Sequence, residues 1–256
     1  MPEICDLEVF KGNLQKAYLK KKLKKVEVGK GTKIKASEKE FNDSIAGKML
    51  NEVSRHAKEL YFDFGDNGVV SMHLMLHGQL SMPDDLPEKF IIAFVFEDAK
   101  PLVLTDYQKA ANATLNPELN EVVDALSKEM TPEWLETQLQ KKKAAIKTVL
   151  TDPKVIGGIG NAYADEILWE ARIDPESSAK NIPKKEVHKL AKAITEVIRD
   201  SIKKIKEKHP DIISGEIRDF MSVHNHKRKT SPTGGEILTA TVGGRKTYYT
   251  KEQVKY

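Results

Sequence analysis

The feature that most limits what this chain can fold into is a change of hydrophobic period near residue 110. Before it, apolar residues come in short β-type runs at 26–28, 60–64, 69–80, 90–96 and 102–105. Turn signals separate them, among them Gly65-Asp66-Asn67-Gly68 and the proline-bounded stretch 83–87. Regularly spaced short strands predict a β-sandwich or barrel, with the fully apolar run 91–96 as a buried strand. One segment breaks this rule: Leu7, Phe10, Leu14, Tyr18 and Leu19 recur at helical spacing, so a helix is expected within residues 6–25. From Pro117 onward the period is helical. Proline stands at expected helix starts at 117, 132 and 183, and Val187, Leu190, Ala191, Ile194, Ile198, Ile202 and Ile205 mark a long amphipathic helix over 184–208. The last residues return to β-type runs, 236–242 and 246–250, around Gly243-Gly244, a hairpin signal. The expected organisation is an α+β chain with a linker at 109–117.

Composition narrows the class. The chain has 256 residues, 39% hydrophobic and 31% charged, enough for one large or two modest cores. No apolar run approaches the roughly 18 residues of a membrane helix, and the first ten residues lack a basic-then-apolar leader pattern. A single cysteine, Cys5, excludes an internal disulfide and any multi-cysteine zinc site, and makes the cytoplasm the expected compartment. The net charge of +4 is small, but it is unevenly spread. Ten lysines and one acid, Glu27, lie between Lys11 and Lys35; seven Lys/Arg and two acids lie between His224 and Tyr256. The stretch 112–136 is acidic. Two basic patches around a neutral-to-acidic body suit a polyanionic partner, although a solvated lysine-rich face would read the same way.

Residues 147–175 carry the most specific pattern. A helix is expected to end near Asp152, a turn Gly157-Gly158-Ile159-Gly160 follows, and a second helix is expected to start at Asn161. Glycines let backbone approach a ligand closely, and a helix N-terminus presents unpaired N–H groups, so this corner suits a phosphate. The whole segment resembles the helix–two-turn–helix of the formamidopyrimidine-DNA glycosylase/endonuclease VIII family. Gly158 to Asn161, Tyr163, Asp165-Glu166, Leu168 and Ile173-Asp174-Pro175 match its pattern in order. The resemblance continues, collinearly, to both ends. Pro2-Glu3 and the following helix look like the family's N-terminus, and residues 54–60 look like its basic motif, with Lys58 at the lysine position. His73 to Gly78 look like its HLxMxG strand and turn, and Gly244 to Tyr249 like its terminal finger.

That resemblance implies an N-terminal β-sandwich with an N-terminal helix over 1–112, a helix–two-turn–helix domain over 117–223, and a finger hairpin over 224–256. It implies a base-excision DNA glycosylase with abasic-site lyase activity. The partner would be damaged DNA, double- or single-stranded, met by a monomer in the cytoplasm, or on the nucleoid if the source is bacterial. Pro2, exposed by loss of Met1, would be the nucleophile. An α-amino group titrates near 8, so a useful fraction is unprotonated at neutral pH, and a secondary amine gives a permanently charged iminium. Glu3 would move protons at the sugar ring, and Lys58 would contact phosphate or the damaged base. His73, Leu76, Asn161 and Arg245 would bind DNA around an extruded nucleotide. The alternative is a damaged-DNA-binding protein that keeps the scaffold without catalysis; the helix–two-turn–helix also occurs in a ribosomal protein.

Three departures from the family pattern carry expectations of their own. The four zinc-binding cysteines of the finger are replaced by Thr230, Thr233, Thr250 and Gln253, so a finger without zinc is expected, held by strand pairing and packing of Ile237, Leu238, Val242 and Tyr249. No cofactor is expected, and His224 and His226 are expected to meet phosphate or solvent. The gap-filling methionine becomes Leu76, and the Arg-x-Phe pair becomes Gln108 and Ala110, which predicts weak reading of the opposite base and relatively better action on single strands. The connection after Phe220 is short, which disfavours 8-oxoguanine and favours oxidised pyrimidines, ring-opened or further oxidised purines and abasic sites.

Overall fold

The computed structural model describes residues 1–118 and 120–256. They divide into two compact units, 1–120 with 205–216, and 121–204 with 217–256.

In the first unit, helix α1 (Ile4–Tyr18) opens on a capping box. The Asp6 carboxylate accepts the Glu3 backbone N–H at 2.8 Å, which satisfies a donor that the helix start would orphan. The helix buries Leu7, Phe10, Leu14 and Tyr18. It stops short of the lysine run because Lys20 adopts a left-handed φ of 62° and Leu23 onward joins a sheet as β1 (Leu23–Val28). Helix α2 (Glu38–Ile45) follows, capped by Ser37 and Glu40. Then come β2 (Glu52–His56), β3 (Glu59–Asp63), β4 (Val69–His73), β5 (Gln79–Ser81), β6 (Ile92–Phe96), β7 (Leu102–Thr105) and β8 (Asn112–Leu115). They form two four-stranded sheets, β1-β6-β7-β5 and β2-β3-β4-β8, with antiparallel pairing throughout. One apolar cluster joins residues of both sheets to α1; in it the Phe94 ring meets Phe62 and Phe64 edge-on, with centroids 5.5 and 5.8 Å apart.

Two expectations change here, and one helix is new. The run 69–80 is two strands in different sheets, broken by a turn at 74–78 in which Gly78 N–H bonds to the Leu74 carbonyl at 2.8 Å. The expected linker 109–117 contains β8, whose register Val70↔Leu115 to His73↔Asn112 gives a polar, low-propensity segment a full ladder. Helix α2 was not foreseen, because it buries only Phe41 and Ile45.

The second unit is mainly helical: α3 (Pro132–Gln140), α4 (Ile146–Leu150), α5 (Asn161–Glu170), a 3₁₀ turn at Ala179–Asn181, and α6 (Lys184–Lys208), whose last residues belong to the first unit. Pro132 holds the first helical position of α3 behind Thr131, whose hydroxyl accepts the Trp134 N–H at 3.1 Å. No helix follows Pro117 among the described residues before α3. The chain closes with the hairpin β9 (Leu238–Val242) and β10 (Arg245–Tyr249). Among the described residues no helix is long and apolar enough to cross a membrane.

Candidate active site and nucleic-acid interface

The N-terminus of the first unit lies in a cleft. Pro2 is buried and lines a cavity of about 520 Å³ together with Leu76, His77, Tyr107, Lys89 and Glu216. The Met1 amino group is ion-paired with the Glu216 carboxylate. Glu3 is 4% exposed, held at the cap of α1 by its exchange with Asp6. The capping box therefore fixes the backbone of Glu3, the residue next to Pro2.

Lys58 lies in the two-residue turn between β2 and β3, where His56 pairs with Glu59 and Ala57 takes a left-handed φ of 50°. The turn is anchored from within. Arg55, its side chain 5% exposed, donates from Nη1 to the Ala57 carbonyl at 3.1 Å and from Nε to Glu8 of α1 at 2.9 Å. Burial pushes the Glu8 carboxyl up, but hydrogen bonds from Lys11 and Arg55 outweigh it and hold Glu8 below its ordinary value. His73 faces Glu59 across the β3–β4 ladder. Its Nδ1 accepts the Met75 N–H at 3.0 Å, so the neutral ring carries its proton on Nε2. Burial pushes the His73 pKa down; Glu59 opposes this and Lys58 adds to it. Lys58 and His73 are thus brought together at one end of the β2-β3-β4 sheet. Leu76 stands on the 74–78 turn, 62% exposed. A Cβ on Gly78 would lie 2.2 Å from the Leu74 carbonyl oxygen, so only glycine closes this turn as it stands.

In the second unit the glycine turn leads directly into α5. Gly158 has φ of 100°, and Gly160 is the extended cap residue before Asn161. The Asn161 side-chain amide donates to the Lys246 carbonyl in the finger at 3.0 Å. The hairpin turn Gly243-Gly244 has both φ positive, as a two-residue turn of this kind requires, and a Cβ on Gly243 would meet the Thr148 hydroxyl at 2.6 Å. Arg245, the next residue, is exposed. Asn161 and Arg245 are therefore neighbours, joined through residue 246.

The sequence offered Asp165 and Glu166 only as motif letters; packing shows what they hold. Asp165 Oδ1 stands 2.6 Å from Lys147 Nζ, and both side chains are fully buried. Lys147 also donates to the Thr247 hydroxyl at 2.8 Å and the Lys246 carbonyl at 3.2 Å. Asp165 Oδ2 accepts the Tyr248 N–H at 3.0 Å and contacts His224 Nδ1 at 2.7 Å. The Glu166 carboxylate accepts the N–H groups of Ser222, Val223 and His224 at 2.7 to 2.8 Å. Polar bonds to α4 and α5 thus fasten the finger, where apolar packing was expected: Val242 is buried, whereas Ile237, Leu238 and Tyr249 are only half-buried. His224 Nδ1 contacts the Asp165 carboxylate, a partner not expected from the sequence, and the ring remains partly exposed.

The four positions where the family's zinc cysteines would stand do not fit a metal. Thr230, Thr233, Thr250 and Gln253 supply neutral oxygen and amide donors, which bind zinc poorly. Three of them are hydrogen-bonded otherwise. Glu252 accepts hydroxyls from Thr233, Ser231 at 2.9 Å and Thr250 at 3.1 Å, and Gln253 bridges Thr250 N–H at 2.8 Å to the Ile173 carbonyl at 2.8 Å. The Thr233 bond leads these contacts in holding the Glu252 carboxyl down at about 2.

Comparisons with known proteins agree with this geometry. Residues 1–113 match the family model for the formamidopyrimidine-DNA glycosylase N-terminal domain, and residues 122–210 match the one for the formamidopyrimidine-DNA glycosylase H2TH domain. The formamidopyrimidine-DNA glycosylase of Pelotomaculum thermopropionicum is 30% identical over 97% of both chains, and that of Shouchella clausii 31% over 97% of both. The Arabidopsis thaliana protein of that name is 30% identical over 100% of this chain and 71% of its own. Among solved structures, a complex of Lactococcus lactis Fpg with abasic-site DNA superposes with a TM-score of 0.85 at 22% identity, covering 99% of this chain and 100% of the other. Two domains matched in order, and relatives aligned nearly end to end, leave one assignment: the chain belongs to the formamidopyrimidine-DNA glycosylase family.

Proposed function

We propose that this chain is a base-excision DNA glycosylase and abasic-site lyase that works through Pro2. Removal of Met1 would leave a secondary amine in the cleft, beside Glu216. The free base form attacks C1′ of the damaged nucleotide; the base leaves and an iminium forms. The iminium acidifies the C2′ hydrogen; the Glu3 carboxylate takes that proton, the freed electron pair expels the 3′ phosphate, and a second elimination of the same kind expels the 5′ phosphate. Glu3 is the proton carrier at the sugar. Lys58 and His73 bind phosphate or base at the sheet end, and Leu76 enters the stack. Asn161 and Arg245 hold phosphates. The finger works without zinc. The partner is damaged DNA, in single or double strands. Oxidised pyrimidines, ring-opened or further oxidised purines and abasic sites are its substrate classes, and a monomer in the cytoplasm, nucleoid-associated in a bacterium, is its working form.

The observation that carries this reading is Pro2 buried in the wall of an open cleft, with Glu3 fixed beside it by the capping box. Borohydride trapping on abasic-site DNA tests it. Protein lacking Met1 should form a covalent adduct, Pro2→Gly should greatly weaken it, and retained Met1 should abolish it. Binding to abasic DNA with no adduct from Met1-free protein would instead establish the non-catalytic reading.

A further inference from the structure

The family's Arg-x-Phe pair is absent, yet the same loop carries an aromatic that composition alone did not single out. Tyr107 is 78% exposed, the most exposed large apolar side chain among the described residues. The turn that carries it is rigid. The buried Asp106 carboxylate accepts three backbone N–H groups, from Gln108 at 2.8 Å, Ala110 at 2.9 Å and Ala111 at 2.7 Å. One side of the ring is taken by His77, with centroids 4.8 Å apart and planes at 44°. The rest of it lines the cleft that Pro2 and Leu76 also line.

A ring supported on one side, open on the other and mounted on a braced turn is a platform for one planar partner. We propose that Tyr107 is a positioning residue that stacks on a nucleobase beside the extruded nucleotide, with Leu76 next to it, and so supplies the aromatic surface that Gln108 and Ala110 cannot. This rests on the function proposed above. It also revises the expectation from the loop's sequence: duplex DNA should be held open by this chain, through a different residue. Base–aromatic stacking of this kind is worth roughly a 5- to 100-fold change in affinity per base.

The test uses full-length protein and duplexes containing a tetrahydrofuran abasic analogue with 2-aminopurine next to it. Binding should change the 2-aminopurine emission. Tyr107→Ala should weaken duplex binding about 5- to 100-fold and remove the emission change, and Tyr107→Phe should restore both. A purely structural role would move the melting temperature with Tyr107→Ala and leave the emission change of the bound state intact. An emission change and affinity unaltered in Tyr107→Ala, or a Tyr107→Phe variant as impaired as the alanine, overturns the proposal. Since the analogue cannot form an iminium, this outcome is independent of borohydride trapping, and failure of the Pro2 chemistry would show in that assay alone.

Discussion

Lys147 is the clearest place to measure what fastens the finger. Its ammonium and the Asp165 carboxylate are 2.6 Å apart and fully shielded from solvent. Taking away one member of such a pair leaves the other buried without its countercharge, which costs about 3–5 kcal/mol. Lys147→Met keeps much of the side-chain volume, so a cavity adds little, and it also forfeits the bonds to Thr247 and the Lys246 carbonyl. Both tryptophans, Trp134 and Trp169, lie in the second unit, so their fluorescence during urea unfolding follows that unit. With a denaturant slope of about 2 kcal/mol per molar urea, the midpoint should fall by about 2 M. Adding Asp165→Asn removes the stranded charge while its amide oxygen can still accept the Tyr248 N–H. The double variant should therefore be more stable than Lys147→Met alone by about 1–3 kcal/mol. A midpoint shift under about 0.5 M for Lys147→Met, or a double variant no better than the single, would falsify the account of a finger held by a buried charge pair.

Other substitutions test the first unit and the Glu252 corner of the finger. Arg55→Ala should cost about 1–3 kcal/mol in thermal or urea unfolding, because it removes the bonds of a buried guanidinium to the Ala57 carbonyl and to Glu8; the Lys58 turn should loosen with it, seen as faster amide exchange at residues 57–59. Gly78→Ala should weaken abasic-duplex binding at least several-fold in a titration, since a Cβ 2.2 Å from the Leu74 oxygen must displace the turn that presents Leu76. Unchanged binding would show that the turn absorbs the change. Glu252 is depressed to about 2, chiefly by the Thr233 hydroxyl, below its unfolded value near 4.5. Its contribution is thus complete above about pH 4.5 and lost as pH falls toward 2. Finger amide protection should decline through that window in the native protein, and Glu252→Gln should already show weakened protection at pH 7. Arg245→Ala should weaken DNA binding and lower its salt slope by about one, measured between 50 and 200 mM salt.

Much of the architecture is legible in the residues because local chemistry decides it. The change of hydrophobic period separates strands from helices, Thr131-Pro132 starts α3, and Gly243-Gly244 forces the hairpin turn, since few other pairs accept two positive φ values. The candidate site residues are legible for a different reason: Pro2, Lys58, Asn161 and Arg245 lie in motifs whose order along the chain carries the family signature. Only tertiary structure decides how those residues are held. A strand such as β8, made of Asn, Ala, Thr and Leu, exists because β4 offers it a ladder, and no propensity in four residues announces that. The buried Lys147–Asp165 pair reads in sequence as two surface charges 18 positions apart, because desolvation depends on what packs around a group. The same holds for Tyr107: its neighbours in sequence mark only a loop braced locally by Asp106, whereas its exposure and its contact with the His77 ring come from how distant segments pack.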